Sequence, residues 1–379
     1  MPWLIATAAI HQSHQQSKAY WPFTSIFLSI TGFLSIIMGT FLVRSGIVVS
    51  VHAFAIDPSR GMVLLTLFVL HATFAYSLWI KKVLQVTEED NQLSKKQPYT
   101  SIWLELQTKV LLAMALVILL ATLYPLGVEA WLDDKISVGP AYYEQTLAPL
   151  VWLLFGAMIM DNIKHLQGKK KIYTFISGIS IVLFFYFFRL VDDMSFSRLS
   201  LMGWITLGLT LCAGITTIYT DGGMGRFSPK KCAHLCCIVI IMIVTIVKTY
   251  EVSEIQSIQP GQTISFMSYS WHFEKLTEKK QDNYIRAQMH LSMEGEKNKT
   301  WLLPEMRYFP SQKTTQTKAS IYPSWYADWY VAMAKPTSEG PFLLRMYYKP
   351  LQSWLWAAGC GLFLSGIWAW RKRHASSKS

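Results

Sequence analysis

The chain has 379 residues, 52% of them hydrophobic and only 15% charged, with a mean hydropathy of +0.27. Soluble domains carry about 25% charged residues; here the apolar residues gather in runs, which argues against a soluble class and for a membrane protein. The net charge of +12 does not indicate a nucleic-acid partner, because Lys and Arg stand in short clusters between apolar runs, as in cytoplasmic loops.

In chain order, Met1 to His11 has no basic n-region and no small-residue cleavage site, so no signal peptide is read. It is too short to cross a bilayer and reads as the tail end of a helix. A hydrocarbon core of ~30 Å takes about 20 helical residues. Spans are predicted near 24–43, 61–80, 107–125, 147–164, 172–189, 199–218, 232–249 and 351–370. Between the last two lies a polar, β-leaning region of residues 250–350, with strand-like segments Thr263–Tyr269, Arg286–Ser292 and Leu343–Tyr348 punctuated by Pro and Gly.

Lys/Arg asymmetry sets sidedness. One set of loops holds Lys81, Lys82, Lys95, Lys96, then Lys164 and Lys169 to Lys171, then Arg226, Lys230, Lys231, and finally Arg371 to Arg373. The opposite loops carry few cations and the acids Glu129, Asp133, Asp134, Asp192 and Asp193. The first set is therefore expected in the cytoplasm, with the C-terminus, and region 250–350 outside. The expected fold is an all-α polytopic membrane protein of about eight transmembrane helices plus an N-terminal partial helix, with a small periplasmic β-rich domain. The expected division is a bundle over 1–249, the β-rich domain over 250–350, and a final helix with a basic tail over 351–379.

Ionisable residues inside a membrane are costly and are functional candidates by default. Topology puts His11 and His234 at the cytoplasmic ends of their helices, within about one turn (~5 Å) of the same depth. Two imidazoles at one depth suit a bis-histidine heme in a bundle; the alternative is that each faces interfacial water. His52 lies in an apolar external segment, where it serves either as an external ligand or as an ordinary interfacial histidine. His71, mid-span, reads as internally hydrogen-bonded. Cys232, His234, Cys236 and Cys237 have spacings that a zinc site can use, but buried cysteines in an apolar helix also behave as small hydrophobes. The five cysteines all lie in or at the ends of apolar segments, so no disulfide framework is expected.

Several segments carry a family resemblance. Gly39-Thr40-Phe41-Leu42-Val43-Arg44-Ser45-Gly46-Ile47-Val48-Val49-Ser50-Val51-His52-Ala53-Phe54-Ala55, followed by Asp57-Pro58-Ser59-Arg60-Gly61, resembles a signature of the CcmF family of heme lyase subunits. Met1-Pro2-Trp3-Leu4, Ala8-Ala9-Ile10-His11, Ser137-Val138-Gly139-Pro140, Pro304-Glu305-Met306-Arg307-Tyr308 and Arg345-Met346-Tyr347-Tyr348-Lys349-Pro350 resemble it in the same order. The resemblance implies that His11 and His234 are axial ligands of a stable heme b, and that His52 flanks a transient heme being delivered and serves the lyase reaction. It implies cytochrome c maturation in the bacterial inner membrane. Heme would come from a CcmE-type chaperone and be attached to apocytochrome c presented by CcmH- and CcmI-type proteins, the b heme reducing the incoming iron.

Family members also carry preceding spans, a tryptophan-rich motif and a first external histidine that this sequence lacks. The chain is therefore expected to act with an N-terminal CcmF half and not as a lyase alone. A split gene, a misplaced start and a decaying gene all account for this. A non-enzymatic heme-binding scaffold in the same pathway is the alternative. A transporter ranks below both, because the related halves and broken helices common in transporters are not seen.

Overall fold

The structure, a computed structural model, describes residues 1–15, 23–45, 58–85, 101–134, 136–164, 166, 200–219, 227–295, 299–310, 314–334 and 341–376. Among them are helices α1 (Pro2–Gln15), α2 (Phe23–Ser45), α3 (Pro58–Leu84), α4 (Ile102–Leu132), α5 (Pro140–Lys164), α6 (Leu201–Tyr219), α7 (Pro229–Tyr250) and α8 (Gln352–Ser376). Ten strands lie between α7 and α8. The protein is a multi-pass membrane protein: α2 to α7 are six helices long and apolar enough to cross a bilayer.

The chain divides into two compact units. The first holds α1 to α5 and the part of α6 from Gly208 onward. Its core joins Leu4, Ile5, Ala8 and Ala9 of α1 to Leu28 of α2 and to Val110, Leu111, Met114 and Ala115 of α4. Helices in lipid associate by close contact of small residues and by hydrogen bonds, since lipid is as apolar as leucine. Both devices are present. A Cβ on Gly61 of α3 would lie 2.9 Å from Ser45 Cα, so the α2–α3 approach requires glycine there. Thr31 Oγ1 and Tyr76 OH are 2.9 Å apart, and Trp79 Nε1 donates to the Phe23 carbonyl at 2.9 Å. Asn162 of α5 donates to both Thr216 and Thr217 of α6 at 3.2 Å.

The second unit holds α7, the strands and α8. The N-terminus of α7 is capped by Ser228, whose hydroxyl accepts from Lys231 N, with Pro229 in the first turn. The strands form a β-sandwich. One sheet has the order β1 (Val252–Ile258), β10 (Phe342–Pro350), β9 (Ala327–Ala334), β8 (Ser320–Pro323). The other runs β2 (Thr263–Phe266), β3 (Tyr269–Lys280), β4 (Ile285–Glu294), β6 (Glu305–Phe309), β7 (Thr314–Lys318), with β5 (Lys299–Leu302) also on β4. Inward residues alternate along the strands, and Trp271, Phe273, Met289, Leu291, Val331, Leu344 and Met346 fill the space between the sheets. Glu305 is 3% exposed between Arg286, Arg307 and Lys318 on the second sheet.

Seven of the eight predicted spans fall on helices. The segment 172–189 lies outside the described residues. The last, on α8, falls short of the six by hydropathy, because its tryptophans and glycines score as polar. It nevertheless runs antiparallel along α7. Phe227 stacks on Trp368 at one end of the pair, with ring centroids 6.4 Å apart, and further along a Cβ on Gly361 would lie 2.8 Å from Cys236 Sγ. The expected strand Thr263–Tyr269 is corrected to a strand and a turn. Met267 adopts φ 56°, and β3 starts at Tyr269.

Candidate functional site

His11 sits in the last turns of α1, half-buried, one turn beyond the Ala8–Ala9 contact with α4. Its Nδ1 is 2.9 Å from the Thr7 carbonyl. A carbonyl can only accept, so Nδ1 carries the proton and Nε2 is the nitrogen that could coordinate. A backbone carbonyl on the far nitrogen is the usual outer-shell partner of a ligating histidine. The same bond is made by His71, whose Nδ1 lies 2.7 Å from the Leu67 carbonyl. The bond therefore fixes the tautomer of a helical histidine without singling out a ligand.

His234 is half-buried on the second turn of α7. The Ser228 cap and the buried Lys231 precede it, and Cys232, Cys236 and Cys237 surround it in sequence. His11 belongs to the first unit and His234 to the second. His52 lies outside the described residues, as do the loop positions on either side of it. The zinc alternative gains no support: among the described residues no three His, Cys, Asp or Glu side chains come together as a metal site. Cys236 instead packs where a side chain at Gly361 would stand. In the sandwich, His272 Nδ1 is 2.8 Å from Thr263 Oγ1 and His290 Nε2 is 3.2 Å from Thr277 Oγ1.

The first unit also contains a half-open groove of about 550 Å³. Its lining is mostly apolar: Met1 and Pro2 of α1, Ile36, Gly39 and Val43 of α2, and Ile118 and Leu119 of α4 are among the residues on it. Arg44 is the one charged residue in that lining, next to the end of α2 from which the chain leads toward His52. In the sequence Arg44 stands inside the family-like segment Gly39–Ala55, near the end of an apolar run. The available signal is a lone cation closing an apolar span, five residues after Gly39.

Fold and site together describe a polytopic membrane protein that holds candidate metal-ligating histidines in its helices and carries a β-sandwich. Residues 249–350 match the family described as the CcmF C-terminal beta-sandwich. Across 97% of its length the chain is 28% identical to the cytochrome c-type biogenesis protein CcmF of Pseudomonas aeruginosa. Across its whole length it is 29% identical to that of Escherichia coli. It is 27% identical, over 95% of its length, to the cytochrome c-type biogenesis protein NrfE of Haemophilus influenzae. A solved structure titled Cytochrome c Heme Lyase CcmF shares the fold over 97% of this chain, with a TM-score of 0.67 at 18% identity. The chain is thus similar to CcmF proteins along nearly its whole length, and residues 249–350 match the family's C-terminal beta-sandwich. It spans 58–61% of the length of these relatives.

Proposed function

We propose that the protein acts in cytochrome c maturation as a subunit of a membrane heme lyase. The observation that carries this reading is colinear similarity to CcmF proteins over nearly the entire chain, through the helices and the sandwich alike. His11 and His234 are assigned as axial ligands of a stable bis-histidine heme b. The donors fit: both are imidazoles on helices, and His11 is held in the tautomer that coordinates through Nε2. When bound, heme b supplies one-electron redox chemistry. His52 is assigned to the external heme substrate. The mostly apolar groove with Arg44 on its lining suits a flat apolar ligand bearing carboxylates, because the guanidinium can pair with a carboxylate.

The division of labour follows. Residues 1–249 form the heme-binding bundle, 250–350 the periplasmic β-rich domain, and 351–379 the last span with its cytoplasmic basic tail. The setting is the bacterial inner membrane. An N-terminal CcmF half is a proposed partner if the protein is split, and the chain spans 58–61% of the relatives' length. A CcmE-type heme chaperone, CcmH- and CcmI-type proteins, apocytochrome c and membrane lipid complete the set. In cells lacking the gene, the wild-type chain should restore covalent heme staining of c-type cytochromes, and His11→Ala, His234→Ala and His52→Ala should not. Full staining with His52→Ala would remove that residue from the reaction.

A further inference from the structure

The sandwich joins the second unit's helix pair with almost no linker. Glu251 alone separates α7 from β1, and Leu351 alone separates β10 from α8. Val252 pairs with Tyr348, and Pro350 with Ala327, so one edge of the sandwich lies directly at the ends of both helices. The headgroup zone of a bilayer is roughly 5–8 Å deep per leaflet. An edge tethered one residue from a membrane-crossing helix therefore has no room to stand clear of that zone.

Two turns project from this edge. The β8–β9 turn carries Trp325, which is 77% exposed, and the β2–β3 turn carries Met267, which is 50% exposed. Both are fastened to it. Trp354, in the first turn of α8, donates its indole N–H to the Trp325 carbonyl at 2.7 Å, and Leu351 N donates to the Tyr326 carbonyl at 2.8 Å. Ser353 Oγ donates to Asp328 Oδ1 at 2.6 Å. The β2–β3 turn is tied to its neighbour by the Tyr269 and Tyr326 hydroxyls, 3.0 Å apart, and Tyr269 packs edge-on against Trp329 at 4.7 Å. Trp325 is thus held beside Trp354, in the first turn of α8. Tryptophan prefers the membrane–water interface, because its ring is apolar and its N–H is wet.

We infer that the Trp325 and Met267 turns rest in the lipid headgroup interface, making the bilayer a third support of the sandwich beside α7 and α8. The occupant of this exposed edge is lipid, since the edge continues the lipid-facing surface of α8, where Trp356 is 77% exposed. The inference rests on the membrane-spanning helices and is independent of heme.

The test places the photo-crosslinking residue p-benzoylphenylalanine at position 325, 267 or 285 of the full chain, in nanodiscs of phosphatidylcholine and phosphatidylglycerol. Position 285 opens β4 at the far end of the sandwich, about 30 Å away at roughly 3.4 Å per residue. After irradiation, mass spectrometry should find phospholipid adducts at 325 and 267, with the yield falling to background at 285. Where the 267 variant does not fold, the exposed Ser268 on the same turn takes its place. Background lipid yield at 325, equal yield at 285, or adducts at 325 only to protein would each overturn the proposal.

Discussion

The hydroxyls of Tyr269 and Tyr326 lie 3.0 Å apart, and this hydrogen bond, with burial, pushes the Tyr269 pKa from 10.0 up to about 12. The phenol therefore holds its proton more tightly in the folded chain than in the unfolded one. The resulting stability is fully present below the unfolded value and is lost as pH rises through about 12. Thermal unfolding followed against pH should show the sandwich weakening in that window. Tyr326→Phe should move the tyrosinate absorbance of Tyr269 to lower pH and flatten the dependence. An unchanged titration in Tyr326→Phe would show that the pair is not coupled.

Gly361 of α8 lies against the Cys236 side chain of α7. Gly361→Ala adds a methyl 2.8 Å from Cys236 Sγ, and overpacking of this kind costs about 1–3 kcal/mol. Cys236→Ala combined with Gly361→Ala should recover most of that loss, and melting of the four-member set in detergent measures the coupling. Strict additivity would mean that the two helices do not meet there.

Glu305 is held by Arg307, by Arg286 at 3.9 Å and by Lys318 at 3.5 Å, with Gln288 donating at 3.5 Å. The three cations are 29–64% exposed and stay hydrated without the carboxylate, so its removal costs the charge-assisted hydrogen bonds, about 1.5–3 kcal/mol. Glu305→Ala should therefore lower the denaturation midpoint of the sandwich strongly. Glu305→Gln, which keeps a hydrogen-bonding carbonyl, should lower it less. Equal effects would show that charge is not what the network uses.

Much of this was legible in the sequence. Apolar runs with cationic loops place the described spans, because burial in lipid and charge exclusion act on each segment by itself. The final helix was legible too, since α8 covers nearly all of the expected segment 351–370. The β2–β3 turn was not. It is made by Phe266 to Tyr269 with Met267 in a left-handed conformation, and it lacks the Gly or Asn that ordinarily signals such a turn. Likewise the place of Arg44 in the wall of a groove requires three helices to be packed. For His11 and His234, residue spacing gives depth along a helix, whereas the partner across the bundle is a tertiary property.

The central claim is that His11 and His234 hold one heme. The direct measurement is the reduced-minus-oxidised spectrum of the purified full chain, expressed together with any chain that supplies the N-terminal part of the family architecture. The account predicts a low-spin bis-histidine b-type spectrum that His11→Ala and His234→Ala each abolish and His52→Ala leaves in place. Full heme content in the His234→Ala protein would contradict it.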